Sequence, residues 1–563
     1  MAVAPSEFPP PVRSGEFIKR ELDPVDDRIE VGVVIVGGGP AGLACANRLL
    51  QLLEDEPELR ERLGEVPVAV IEKAKACGAH NLSGAVMRPG PLRRLFPDVA
   101  PEDWPSYGEV PGEAVYLMAT AKRAVRLRPV PPNFRNHGSH VVSVAELCRW
   151  MAARAEDAGA YVLTETAASR LLVKDGVVRG IRSGDKGRGR DGEPLRNFEP
   201  GSDVTAEATV LAEGVWGHLT GAAIKHFALA EHSEPQVWSL GVKEVWEVPK
   251  PLTKVIHTLG WPLRVRAKYH EFGGSWIYPM GEDKVSLGFV AGLDYADATF
   301  SVHDVLQEWK LHPLVRKILE GGTRTAWGAK AIPEGGYWAM PRLTAPGLAI
   351  TGDGGGMVNV PELKGIHYAI ESGMLAAEAI VAALKLRSRD LAAYEAAVEA
   401  GFIGEDLYRT RNMKQPFYKG FFVGAAAVNA MMATKGRFPD GRWSNHPDAD
   451  QPMFVGRRER RYPKPDNKYT FDKLSSVFIT GNATRDDAPN HIRVRRNVPI
   501  EIAETWRWMC PAGVYELPDD APEHGKVNVI VNYTNCVQCG AITAKGGRLT
   551  VPEGGDGPLY QAT

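Results

Sequence analysis

Apolar positions along this chain fall into short blocks separated by glycine-rich turns. Residues 31–36 form a run rich in β-branched side chains, followed at once by Gly37, Gly38, Gly39, Pro40, Ala41 and Gly42 and then by a helical stretch over 43–53. This order predicts strand, tight turn and helix. Further strands are expected over 67–71 and over 208–212, the latter ahead of a Glu-Gly-Val-Trp-Gly turn, and residues 348–353 read as strand then turn. A helix carrying Tyr368, Ile370 and Met374 follows. The most apolar stretch, 417–433, holds Phe421, Phe422, Val423, Val428, Met431 and Met432. It is too short to span a bilayer, which takes roughly twenty apolar residues, and Lys419 and Asn429 interrupt it. Two readings remain for it: a core helix, or a helix lying in the headgroup region. The basic residues Lys435, Arg437, Arg442, Arg457, Arg458, Arg460 and Arg461 around and beyond it favour the second.

A length of 563 residues exceeds one compact core, so two or three interleaved domains are expected. The balance of 67 basic and 69 acidic residues, a net charge of −2, argues against a general nucleic-acid binder. The first residues contain no apolar h-region, so neither export nor a transit segment is expected, and the chain is placed in a reducing cytoplasm. There Cys45, Cys77 and Cys148 read as lone thiols, without structural disulfides.

The first glycine cluster carries chemistry. Gly37 permits the turn, Gly39 lets backbone approach a pyrophosphate, Gly42 allows close helix packing, and the helix N-terminus offers free amides to phosphate. A GxGxxG alone is weak, but the strand over 67–71 ends in Glu72, placed to hold ribose hydroxyls. A dinucleotide is therefore expected. Gly352 and Asp353 point to FAD rather than NAD, because in FAD proteins of the glutathione-reductase type such an aspartate holds the ribityl chain. The long insertion between the two halves has the same meaning.

Three of the six cysteines lie near the end, Cys510 in CPAGVY and Cys536 and Cys539 in CVQC. Soft sulfur donors select iron–sulfur clusters and zinc. An all-cysteine tetrahedral site needs four, and Ile542 stands where a further CxxC step would put the fourth. A zinc site with His524 as fourth ligand is the alternative for these thiols.

Ten segments in order then point to one family. GAHNLSGAVMRPG (78–90), LGWPL (259–263), FGGSWIYP (272–279), GLDY (292–295), LEGG (319–322), NVPELKGIHYAIESG (359–373), YPKPD (462–466), FDKLSSV (471–477), CPAGVYE and VPEGGDGP resemble electron-transfer flavoprotein:ubiquinone oxidoreductase, from about residue 31 to the C-terminus.

The resemblance implies an α/β plus α+β fold: a FAD-binding Rossmann-like domain of glutathione-reductase type, an inserted quinone-binding domain and a C-terminal ferredoxin-like subdomain. Its expected layout is an arm over 1–30, the first FAD segment over 31–235, the quinone domain over 236–345, the FAD return segment over 346–400, a membrane-surface segment over 401–460 and the iron–sulfur subdomain over 461–563. Gly37, Gly39, Gly42, Glu72, Gly352 and Asp353 are expected to meet FAD, with His80, Ser83 and Gly84 in a loop beside it. His80 taken alone reads as a structural hydrogen-bonding residue. Phe272, Gly273 and Gly274 resemble the quinone-contacting segment, with Phe272 where many relatives have Tyr. Ala331-Ile332-Pro333-Glu334 replaces the family's Ala-Leu-Asn-Glu loop beside the flavin, so a tuning hydrogen bond is expected to be missing. Cys510, Cys536 and Cys539 are the expected ligands of a [4Fe–4S] cluster. The implied activity passes electrons from reduced electron-transfer flavoprotein to ubiquinone or menaquinone, on the cytoplasmic face of a bacterial inner membrane. A cluster-free FAD monooxygenase or isoprenoid reductase is the runner-up, and it predicts direct NADPH oxidation.

Overall fold

The computed structural model describes residues 2–11, 15–82, 85–455 and 460–563; the expectations for Ser83, Gly84, Arg457 and Arg458 lie outside them. The centre of the nucleotide-binding half is the strand Arg28–Val36, buried over its last six residues. It pairs in parallel with Val68–Ile71 on one side and Asp203–Leu211 on the other. Leu348–Ile350 joins Asp203–Leu211 in parallel, and Tyr161–Leu163 extends the opposite edge. These strands read as continuous apolar runs because both faces are covered. The helix Pro40–Glu54 packs between Ile366–Lys385 and Val144–Asp157. It begins three residues earlier than its apolar pattern, since Pro40 suits the first helical position.

A second, seven-stranded sheet runs in the order Thr323–Pro333, Trp238–Glu247, Lys284–Gly292, Gly273–Met280, Val255–Gly260, Glu113–Thr120 and Arg123–Arg126. All neighbours in it are antiparallel except Val255–Gly260 with Glu113–Thr120. Its last hairpin, 113–126, comes from within the segment assigned by sequence to the nucleotide half. An alternating apolar pattern identifies a strand but not its sheet, and the partner of Glu113–Thr120 lies more than a hundred residues away.

The C-terminal part is built of three two-stranded ladders around the helix Ile500–Met509. It has no separate core. Trp506, Tyr515, Cys510 and Cys536 share one buried cluster with Trp246, Trp309, Trp327 and Tyr295 of the second sheet and its helices. The N-terminal arm is stitched down rather than loose: Ile18–Lys19 adds to Ala168–Lys174, and Val3 bridges Met453. Among the described residues, no helix is long and apolar enough to cross a membrane.

Candidate functional site: a dinucleotide cavity wired to three cysteines

An elongated cavity, about 2170 Å³ counting its mouth, runs from the glycine turn to the inner face of the second sheet. At its nucleotide end the turn is held by close packing. Gly37 has φ +111°, and a Cβ there would lie 2.3 Å from the Ala212 carbonyl oxygen; one on Gly42 would lie 2.0 Å from that of Gly37. Gly39 differs, because a Cβ there would meet only Asn81, at 3.5 Å, and would project into the cavity. No side chain caps the helix start at Gly39, which leaves its first amides free for an anion.

Glu72 stands at the end of its strand and lines the cavity. Its carboxylate already accepts from the Gly38 and Ala74 amides, each at 2.7 Å. A carboxylate offers about four acceptor sites, so capacity for ribose hydroxyls remains. Gly352 and Asp353 close the same wall from the return segment. Gly352 has φ +60° and donates to Ser372 Oγ at 3.0 Å. Burial pushes the Asp353 carboxyl up to about 6. His80 also lines the cavity; burial first, then Lys73 and Lys330, holds its imidazole well below its usual range, and its ring bonds to Asp556 backbone.

Sequence reasoning missed the cations of this site. Lys73 and Lys330 both line the cavity, and burial lowers both ammonium groups, Lys330 to about 8. Lys73 Nζ donates to Gln538 Oε1 at 2.7 Å, and Lys330 Nζ to the Gln538 carbonyl at 3.2 Å. Their positions beside Glu72 and beside the Ala331 loop were the available signals. Two lysines, free helix amides, an open glycine and an acceptor at each end form a donor and charge set that fits the pyrophosphate and ribose parts of FAD.

Gln538 and Gly540 come from the CVQC loop, so the cysteine loop borders this cavity. The Ala331 amide donates to the Cys539 carbonyl at 2.9 Å. A Cβ on Gly540, which has φ +85°, would sit 2.4 Å from the Trp216 ring, and Trp216 stacks on Trp238 at 3.6 Å. Cys510 and Cys536 are buried and Cys539 half-buried. All three lie within electrostatic reach of the Tyr515 hydroxyl. His524 is exposed, and among the described residues no group of three or more His, Cys, Asp or Glu could hold a single metal ion. The zinc alternative therefore lacks a site.

Phe272, Gly273 and Gly274 do not line the cavity as such. Gly274 pairs with Val290, which does, and a Cβ on Gly273 would lie 2.0 Å from the Val290 carbonyl oxygen. The Phe272 ring lies 4.5 Å from that of Phe417 and 4.2 Å beneath the Lys414 ammonium. Burial opposes the charge on Lys414, but Asp294 at 3.7 Å and Glu334 at 3.3 Å raise its pKa.

The apolar stretch that follows is not a core helix. Gly420, at φ +96°, separates a short turn over Gln415–Lys419 from the helix Phe421–Ala433, in which only Gly424 and Met431 are buried. Phe422 is 69% exposed and Val423 49%. A helix apolar all round yet left on the surface lacks the polar face that water demands.

A family model described as ETF-QO, ubiquinone-binding, matches residues 238–332, and one described as Electron transfer flavoprotein-ubiquinone oxidoreductase, 4Fe-4S, matches 467–561. The chain is 36% identical to the electron transfer flavoprotein-ubiquinone oxidoreductase of Pseudomonas aeruginosa, covering 94% of this chain and 98% of that protein. It is 37% identical to the mitochondrial protein of that name from Homo sapiens, over 94% of this chain and 89% of that one.

The chain belongs to the electron transfer flavoprotein-ubiquinone oxidoreductase family.

A further relative with that name, given as probable, comes from Acinetobacter baylyi and is 34% identical over 95% of this chain and 98% of that protein. Among solved structures, a geranylgeranyl bacteriochlorophyll reductase-like protein from Thermoplasma acidophilum aligns with a TM-score of 0.53 and 20% identity. That alignment covers 69% of this chain and 88% of the other and speaks for the fold alone. Membership in the oxidoreductase family brings FAD and a 4Fe–4S cluster as its cofactors. The cavity fits the first. For the second, this chain presents the cysteines Cys510, Cys536 and Cys539, with Ile542 one CxxC step beyond the last.

Proposed function

We propose that this protein takes electrons from a reduced electron-transfer flavoprotein and delivers them to ubiquinone or menaquinone while resting peripherally on the cytoplasmic face of a bacterial inner membrane. The observation that carries this reading is the Ala331–Cys539 hydrogen bond, which joins the wall of the dinucleotide cavity to the cysteine loop. When bound, FAD supplies a centre that accepts two electrons and the cluster a one-electron centre, while the protein supplies spacing and surroundings.

In this reading Gly37, Gly39 and Gly42 shape a turn whose free amides bind the pyrophosphate, and Lys73 and Lys330 offset its charge. Glu72 and Asp353 accept ribose and ribityl hydroxyls. Trp216, Trp276 and Tyr278 line the cavity with aromatic surface. Phe272, Gly273 and Gly274 contact the quinone headgroup. The ring series from Phe272 to Phe417 at 4.5 Å and on to Phe421 at 6.4 Å supports an apolar entrance for a long-tailed quinone. The exposed helix Phe421–Ala433 dips into the headgroup layer, where its burial offsets the cost of leaving Phe422 in water.

Catalytic amounts of FAD-loaded protein, given reduced electron-transfer flavoprotein and a short-chain quinone, test the reading by the rate of quinone reduction. The cluster-free monooxygenase or isoprenoid reductase reading predicts instead oxidation of NADPH without that donor. The 4Fe-4S family match and the near-full-length relatives favour the first.

A further inference from the structure

We infer that the C-terminal module of this protein anchors its cluster through three thiolates only and that the resident species is a three-iron [3Fe–4S] cluster. The inference rests on the family's cluster chemistry and departs from it in one corner.

Each thiol sits in a cradle of backbone amides. The Val514 amide donates to Cys510 Sγ and the Gln538 amide to Cys536 Sγ, both at 3.4 Å, and Ala541 serves Cys539 in the same way. Amides aimed at sulfur stabilise bound thiolate and tune a cluster. Lys473 lies near Cys510, Lys73 near Cys536 and Lys330 near Cys539, so each sulfur has a cation to offset its charge.

At the fourth corner stands an aliphatic side chain, which offers a cluster no donor atom. Ile542 is buried, in the short helical turn Ala541–Lys545. Its side chain fills the space beside Gly547, where an added Cβ would come within 2.5 Å of Ile542 Cγ1 and 2.8 Å of Val494 Cγ1. Of the module's other donors, the buried His491, edge-on to Tyr533, has an unpartnered Nε2, whereas Lys545, Asp556 and His524 are held by other groups or exposed. Lys545 Nζ donates to the Tyr295 carbonyl at 3.3 Å and approaches Met453 Sδ at 3.5 Å. Asp556 stands with Glu553 and Arg485, and His524 is exposed.

Three thiolates suffice for a cluster with one cysteine per iron. A fourth iron would have sulfide ligands but no protein ligand. Its loss as Fe²⁺ would convert [4Fe–4S]²⁺ to [3Fe–4S]⁰ with no electron transferred. Ferricyanide then removes one electron to give the paramagnetic [3Fe–4S]⁺.

The test uses the full-length protein, reconstituted anaerobically with ferrous iron and sulfide, with iron and sulfide counted and EPR recorded after ferricyanide and after dithionite. The expected result is an iron-to-sulfide ratio near three to four and a strong signal in the oxidised sample. Ile542→Cys should shift the ratio to one, abolish the oxidised signal and create one on reduction. FAD content in the same samples reports folding. Folded wild-type protein with a four-iron cluster that survives ferricyanide, with zinc, or with no iron overturns the inference. Quinone reduction is measured separately: its loss in protein holding three irons would count against the proposed function alone.

Discussion

The backbone amide of Ala331 donates to the backbone carbonyl of Cys539 at 2.9 Å. Ala331 lines the dinucleotide cavity and Cys539 belongs to the CVQC loop, so one main-chain bond fixes the spacing between the cavity wall and the cysteine loop. Main-chain bonds of this kind do not depend on side-chain rotamers. Electron transfer is sensitive to such a spacing, and the packing of Gly540 under Trp216 holds the same contact from the other side.

Gly540→Val should break this junction. Its φ of +85° strains any L side chain, and the Cβ meets Trp216 at 2.4 Å. Left-handed strain and overpacking together cost about 2–5 kcal/mol. The variant should retain FAD but show a lower melting temperature by tryptophan fluorescence and slower passage of electrons from the donor to the quinone.

Gly42 and Gly39 should fail differently when changed to Ala. Gly42→Ala drives a methyl against the Gly37 carbonyl oxygen, 2.0 Å away, and should cost about 1–3 kcal/mol of stability along with FAD. Gly39→Ala has room, since its methyl would meet only Asn81 at 3.5 Å. It should leave the apoprotein's melting temperature nearly unchanged and weaken FAD in fluorescence titration by about tenfold or more, since the methyl occupies the pyrophosphate's place.

The Asp353 carboxyl, pushed by burial from 3.8 to about 6, makes the apoprotein's stability fall with pH. The folded state holds this proton more tightly than the unfolded chain. No penalty exists below about pH 4; it grows between about 4 and 6 and is complete above, at roughly 1 kcal/mol after partial solvent screening. Asp353→Asn should flatten that part of the urea-midpoint profile and still weaken FAD binding.

Replacing both Phe422 and Val423 with Glu should release the protein from anionic lipid vesicles in a flotation assay. The two side chains are exposed and make little of the core, so melting temperature and turnover with a soluble quinone should stay near the parent values.

Local patterns made the nucleotide end legible. The turn from Gly37 to Gly42, the strand ending at Glu72 and the pair Gly352 and Asp353 all report neighbours a few residues away. The cysteines and Ile542 were equally visible. What sequence could not convey was docking at long range. Lys73 reaches Gln538 across 465 positions, and Ala331 reaches Cys539 across about two hundred. Such contacts leave no periodicity. The hairpin 113–126 illustrates the same limit, since its strand pattern carries no record of a partner at 255–260. For the helix Phe421–Ala433, composition announced an apolar surface, but only packing decided that it faces outward.

The most direct measurement of the central claim is an anaerobic single-turnover experiment. FAD-loaded protein is mixed with reduced electron-transfer flavoprotein, and a soluble quinone follows after a delay, with flavin absorbance recorded throughout. The account predicts bleaching of this protein's flavin by the donor and recovery on adding quinone, with one quinone reduced per two electrons received. Flavin that stays oxidised with this donor, or that is bleached but not restored by quinone, would contradict it.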